Sequence, residues 1–179
     1  MSHRIRRFEP ADAEPMGRFA AALPEHDLLF LGRDLRHPRV IEAWLHAVGE
    51  GWIDSLVAED EDTGEVVGAA ALVRDPLGWS AHVGEVRLLV SADRRGHGLG
   101  RDLLEAVFAI AAAHGLAKLT ARMTPDQAGA VQLFESLGFR GEAMLRDHVQ
   151  DRSGARHDLA VLSYDAARAS ARQQALGLK

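Results

Sequence analysis

Apolar residues along this chain recur with two periods, and the alternation outlines strands and helices in a mixed order. Arg4 to Phe8 reads as a first strand, and Pro10 opens a helical stretch in which Met16, Phe19, Ala20 and Leu23 fall at three- and four-residue steps. Pro24 to Pro38 is loop-like, with an apolar run Leu28-Leu29-Phe30-Leu31 placed to cover a groove. Pro38 suits a first helical turn, and Val40, Ile41, Trp44, Leu45 and Val48 then form a helical stripe. Ser55 to Ala58 and Val66 to Val73 read as paired strands, joined through Asp60-Glu61-Asp62-Thr63-Gly64. Glu85 to Val90 is another strand, followed by a helix marked by Leu103, Leu104, Val107, Phe108 and Ile110 that ends near Gly115. Lys118 to Met123 is a strand, Pro125 to Leu137 a helix stopped by Gly138, and Phe139 to Val149 with His157 to Tyr164 two closing strands. Ala166 to Ala175 is Ala-rich and helical.

This order predicts an α/β (α+β) fold: a mixed, mostly antiparallel central sheet of about seven strands flanked by helices. The neighbouring hairpins are antiparallel, while the strand–helix–strand unit over residues 85–123 requires a local parallel pair with a right-handed crossover. One domain over residues 1–165 and a helical tail over 166–179 account for the whole chain. There is no internal repeat and no low-complexity linker.

Composition narrows the chemistry. With 47% hydrophobic residues among 179, the chain can build a core and is no disordered segment. No apolar run approaches the length of a membrane span, and the charged N-terminus lacks an apolar segment behind it, so a cytoplasmic protein is expected. The absence of Cys removes disulfides, thiolate zinc sites and a cysteine nucleophile. The nine His residues show no metal-ligand spacing, so no metal is expected. A net charge of -5 disfavours nucleic acid as a partner.

The strongest chemical signal is the strand-to-helix junction Arg94-Arg95-Gly96-His97-Gly98-Leu99-Gly100-Arg101. Glycine lets backbone N–H groups approach a ligand, and a helix start offers unpaired N–H donors with partial positive charge. Together they suit phosphate oxygens, with Arg94 and Arg95 adding mobile positive charge. A P-loop is excluded for want of Gly-Lys-Ser/Thr, and the dinucleotide fingerprint fails because its third glycine falls one position early.

The segment from Val86 to Val90, the loop Arg95-Gly96-His97-Gly98-Leu99-Gly100 and the following Leu103-Leu104 resemble the acyl-CoA-binding motif of the GNAT superfamily of N-acetyltransferases. Ala130-Val131-Gln132-Leu133-Phe134-Glu135-Ser136-Leu137-Gly138-Phe139 is similar to that superfamily's later helix and the strand after it. The resemblance spans roughly residues 55–164 and implies an acyl-CoA N-acyltransferase-like fold. It implies acetyl-CoA as co-substrate and a primary amine, of a small molecule or a protein, as acceptor; a homodimer is common in such a family.

For the site, the resemblance implies that main-chain N–H groups of Arg95, Gly96, His97, Gly98, Leu99, Gly100 and Arg101 hold the pyrophosphate, while Leu88, Leu89 and Val90 line the pantetheine arm. A backbone N–H at Leu88 or Leu89 would polarise the thioester carbonyl, a donor worth about 3 kcal/mol. Glu85 is the expected base, with His82 second. Gln127 and Phe134 stand where the superfamily often has Asn and a Tyr acid near the cofactor, so the acid role is unfilled at Phe134, and Tyr164 lies on the last strand. Arg122 stands where some ribosomal-protein acetyltransferases have a catalytic Glu, which speaks against that substrate. Asp27, Asp34, Asp75 and Asp158 are candidates to hold a cationic amine, Trp79 to wall the pocket, and His148 and His157 to pair with Asp147 or Asp158. The alternative is a non-catalytic acyl-CoA-binding sensor, which the missing acid would suit. An apolar Leu28–Leu31 would also accept a longer acyl group.

Overall fold

The computed structural model describes residues 2–175, and the last four positions of the expected helical tail lie outside the described residues. Seven strands form one sheet in the order β1-β2-β3-β4-β5-β7-β6. They are β1 (His3–Arg7), β2 (Ile53–Asp60), β3 (Val66–Arg74), β4 (Val83–Val90), β5 (Lys118–Met123), β6 (Arg140–Gln150) and β7 (Arg156–Asp165). All neighbouring pairs are antiparallel except β4 with β5. The parallel pair is joined by α3 (Leu99–Ala113), the crossover expected from the pattern. The other helices are α1 (Ala13–Ala22), α2 (Pro38–Gly49), α4 (Ala128–Ser136) and α5 (Ala166–Ala175). Among the described residues no helix is long and apolar enough to cross a membrane.

Period-two alternation gives the sheet two apolar faces. Leu56, Leu72, Val86 and Leu119 face one core, where Leu103, Leu104 and Val107 of α3 and Phe134 of α4 pack. Val57, Ala69, Leu89 and Leu159 face the other, packed by Met16 and Phe19 of α1 and Ile41 of α2. β3 is buried along most of its length, as a central strand covered on both sides must be.

Several boundaries differ from those expected. β4 begins at Val83 rather than Glu85, because the β3 ladder continues back to the Arg74–Gly84 pair. α4 begins at Ala128, with Gln127 as its cap, because Thr124 to Gln127 form a turn closed by the Gln127 N–H on the Thr124 carbonyl at 3.1 Å. The supposed loop after α1 contains a 3-10 run over Glu25–Leu31, whose Leu28, Phe30 and Leu31 are buried in the second core. That run packs into the second core, whereas its apolar sequence predicts a cover for a groove.

Gly84 shows how closely the parallel pair is packed. A Cβ there would lie 2.7 Å from both Leu116 Cδ1 and Leu72 Cδ1. Overpacking of this kind costs about 1–3 kcal/mol. Gly84→Ala should therefore lower the urea midpoint with an unchanged slope, whereas an unchanged midpoint would mean that the two leucines yield freely.

Candidate active site

The site begins where two strands part. β4 pairs with β3 as far as Val90, but with β5 only from Val83–Lys118 to Val86–Ala121. Among the described residues, β4 beyond that pair has no neighbour on its β5 side. Antiparallel residues bond alternately to one side and the other. The Ser91 N–H donates to the Val67 carbonyl at 3.0 Å, so Leu89 and Arg87 share that orientation toward β3. Leu88 and Val90 accordingly direct their main-chain groups into the gap.

The chain leaves β4 through a short 3-10 turn (Ala92–Arg94) into the glycine loop. Gly96 and Gly98 have φ of +75° and +90°, a backbone region that favours glycine. An added Cβ at either would meet nothing within 4 Å, so conformation and not space demands glycine there. Alternating left-handed residues turn successive N–H groups into one concavity. Among the described residues, no N–H from Gly96 through Arg101 finds an acceptor, and the next, of Asp102, bonds the Gly98 carbonyl at 3.0 Å. These amides stand at the start of the fifteen-residue helix α3. Such a row fits the oxygens of an anion such as a pyrophosphate.

On the other side of the gap lies a cavity of about 500 Å³ between the segment after α1 and the β6–β7 hairpin. Leu28, Leu29, Phe30, Val149 and Leu159 supply its apolar wall, and Arg122 of β5 reaches into it. Arg122 also donates from Nη2 to Glu85 Oε2 at 2.6 Å, while Arg87 Nε donates to Glu85 Oε1 at 2.7 Å. Glu85 is thus the carboxylate that links the parted strand to the cavity. A bulge in β6 between Leu145 and Val149 shapes the far wall. It is held by Asp147, whose φ is +48° and whose N–H donates to Asp158 Oδ1 at 2.9 Å. This brings His148 and Val149 to the cavity.

A family model for the Acetyltransferase (GNAT) family matches residues 21–139. The chain belongs to the GNAT family. Solved structures agree in fold. A ribosomal-protein-alanine N-acetyltransferase from Brucella melitensis is 25% identical with a TM-score of 0.74, covering 90% of this chain and 99% of its own. The yncA protein of Salmonella typhimurium, solved with its cofactor acetyl-CoA, is 22% identical with a TM-score of 0.75, covering 92% and 94%. An N-acetyltransferase from Staphylococcus aureus Mu50 is 19% identical with a TM-score of 0.76, covering 92% and 99%.

Within this GNAT fold the expected site residues separate into groups. The amides of Gly96 to Arg101 and the main chain of Leu88 and Val90 come together along one track. Leu89 does not join them: its main chain pairs with β3 and its side chain is buried in the second core. Phe134 is also removed from the cleft, because its ring lies in the first core, edge-on to Phe139 at 5.0 Å. Leu99 contributes only its amide, since its side chain is core, and Arg101 extends to Ser136 Oγ at 3.0 Å. His97 is exposed, with Nδ1 2.8 Å from the Arg95 carbonyl oxygen. Gln127 accepts from the Thr124 N–H and donates to Asp27. His82 precedes β4, at the end opposite the parting, ~20 Å along the strand from Leu88 at the usual rise.

The two loop arginines are anchored rather than mobile. Arg94 bonds Asp60, which also accepts from the Asp62 and Thr63 N–H groups. Arg95 donates to Asp27 Oδ2 at 2.6 Å and to the Val90 carbonyl from Nη2 at 3.1 Å. Trp79 is fully exposed and is not among the residues around this cavity. His157 pairs with Asp151 at 2.8 Å rather than with Asp158. Tyr164 stacks on Phe108 in the first core.

An ion-pair cluster that sequence reasoning missed holds the segment over the sheet. Arg36 donates to Asp34 and Glu25, and Arg152 of the β6–β7 turn bonds the same two carboxylates. Arg152 and Asp34 are 118 positions apart, so no local pattern announces them. The Arg36 guanidinium holds the Asp34 carboxyl down at about 2, from an ordinary 3.8. A depressed carboxyl contributes stability that is full above its unfolded value and fades as pH falls through its folded value. The wild-type protein should therefore lose stability between about pH 4 and pH 2 more steeply than Arg36→Met, in denaturant melts across pH; parallel profiles would show that the pair contributes nothing measurable.

Proposed function

We propose that this protein is an acetyl-CoA-dependent N-acetyltransferase that moves an acetyl group to a primary amine. The observation that carries the reading is the row of acceptor-free amides from Gly96 to Arg101, one 3-10 turn after the unpaired edge of β4. The residues fit the co-substrate: the loop amides would take its pyrophosphate, and the edge at Leu88 and Val90 would pair with the amides of its pantetheine arm. Acetyl-CoA supplies the activated acyl group. The acceptor nitrogen attacks the thioester carbon, the carbon–sulfur bond breaks, an amide forms, and the amine proton leaves with the thiol.

Two groups of this chain serve that step. The Leu88 N–H would donate to the carbonyl oxygen as negative charge develops there, a fixed donor worth about 3 kcal/mol. Glu85 is the proposed base, acting from between Arg87 and Arg122 at the edge of the cavity. Phe134 and Tyr164 are both packed in the core and supply no acid. A thiolate whose conjugate acid has a pKa of about 8.5 leaves without much help. Holding the two reactants together is worth about 7–11 kcal/mol, so acid assistance is the smaller contribution.

Gly98→Glu should abolish CoA binding, measured by calorimetry, because it puts negative charge and a disfavoured φ among the phosphate-facing amides. Unchanged affinity would remove the basis of the proposal. Glu85→Gln should lower turnover about 10²- to 10⁴-fold in a thiol-release assay while CoA affinity stays close to wild type. Full activity at every pH would dismiss Glu85 as the base. Tight CoA binding with no thiol release for any amine would make the protein a sensor.

A further inference from the structure

We propose that the acceptor amine bears its own carboxylate next to the nitrogen, as an α-amino acid does, and that Arg122 grips that carboxylate. The inference rests on the acetyl-transfer reading and names the substrate class of the same site. The cavity is lined by four guanidiniums, of Arg33, Arg36, Arg122 and Arg152, and three carboxylates, of Glu25, Asp34 and Asp151. The bonding of these groups matters more than their number.

Every one of the three carboxylates is already engaged. Glu25 accepts from Arg36 Nη2 at 2.8 Å and from the Arg152 N–H at 2.7 Å. Asp34 accepts from Arg36 through both oxygens and from Arg152 Nη2 at 2.7 Å. Asp151 accepts from the Ser153 hydroxyl at 2.6 Å and the Ala155 N–H at 3.0 Å, with His157 beside its other oxygen. A polycationic amine would have to break these bonds and would meet four guanidiniums in doing so.

The cations are less fully used. Among the described residues, Arg33 finds no acceptor, and Arg122 donates only from Nη2, to Glu85. Arg122 Nε is buried without any partner. Burial closes Nε to a ligand, so a ligand would meet the terminal Nη groups of this side chain, which is 31% exposed. A guanidinium offers its N–H groups as a planar fork, which matches the two oxygens of a carboxylate. Position completes the case. Arg122 is the residue of β5 immediately after the last β4–β5 pair, so it stands at the mouth of the parting. A substrate carboxylate that draws Arg122 from Glu85 leaves the nitrogen on the adjacent carbon beside Glu85, the proposed base, whose Oε2 is then released while Arg87 keeps Oε1. The half-buried Leu29 and Val149 offer apolar surface to the remaining side chain.

The test compares each common L-amino acid with its carboxamide and with the amine lacking the carboxylate, and includes spermidine as a polycation. Binding to the CoA-saturated protein is followed by calorimetry, and thiol release from acetyl-CoA gives kcat/KM. At least one amino acid should bind and react at least tenfold better than its two neutral-tail counterparts. Arg122→Gln should cut that preference tenfold or more, and Arg122→Lys should restore part of it. Carboxamides or spermidine binding as well as the acids, or a preference that survives Arg122→Gln, would overturn the proposal. Turnover of carboxamides as fast as acids would leave acetyl transfer standing while the carboxylate grip fails. Amino acids that bind through Arg122 without thiol release would do the reverse.

Discussion

The divergence of β4 from β5 is the constraint around which the rest is arranged. A sheet interior tolerates few unpaired main-chain groups, because each carries a donor and an acceptor that burial leaves unsatisfied. Beyond Val86 this sheet keeps β4 bonded to β3 while its other edge faces a gap. The Val90 carbonyl accepts from Arg95, whose side chain also reaches Asp27. One short turn after this edge come the loop amides of Gly96 to Arg101 that lack acceptors. Strand edge and helix start are two stretches of open main chain, separated by the 3-10 turn Ala92–Arg94, in which the Arg94 N–H is bonded.

The same divergence opens the second half of the site. With β5 turned away, Arg122 is free to lie against Glu85 rather than beneath a neighbouring strand. The 3-10 run of Glu25–Leu31 closes over the space, fixed at one end by Asp27 on Arg95 and Gln127 and at the other by the arginine cluster. His26 adds a contact with Asp126 at 2.9 Å. One segment thus touches the glycine loop, the cap of α4 and the β6–β7 turn.

The chemistry left to side chains is correspondingly small. The two aromatic positions at which a proton donor would be sought are packed together with Phe108 and Phe139. Catalysis by this GNAT protein would then depend on positioning, a main-chain donor and one carboxylate held between two guanidiniums. Such a design places more weight on the geometry of the parting than on any acid.

Much of the architecture was legible in the chain alone. Period-two runs in β2, β3 and β5, helical stripes in α2 and α3, and the glycines before α3 are all encoded within a few neighbouring residues. Their physics is local: a pleat alternates, a helix turns, and a left-handed backbone calls for glycine. The amides of the loop followed from the same reasoning. The roles of Leu89 and Phe134 did not, because a side chain's destination depends on which strand edge or which core its element meets. The fates of Asp27, Asp34 and His157 were equally hidden, since each could pair with any of several arginines or acids far along the chain. Tertiary folding alone decided that Arg36 and Arg152 would occupy the acids of the cavity and that Arg122 would retain an unmatched donor. Charge at a distance in sequence carries no register, and only the packed sheet supplies one.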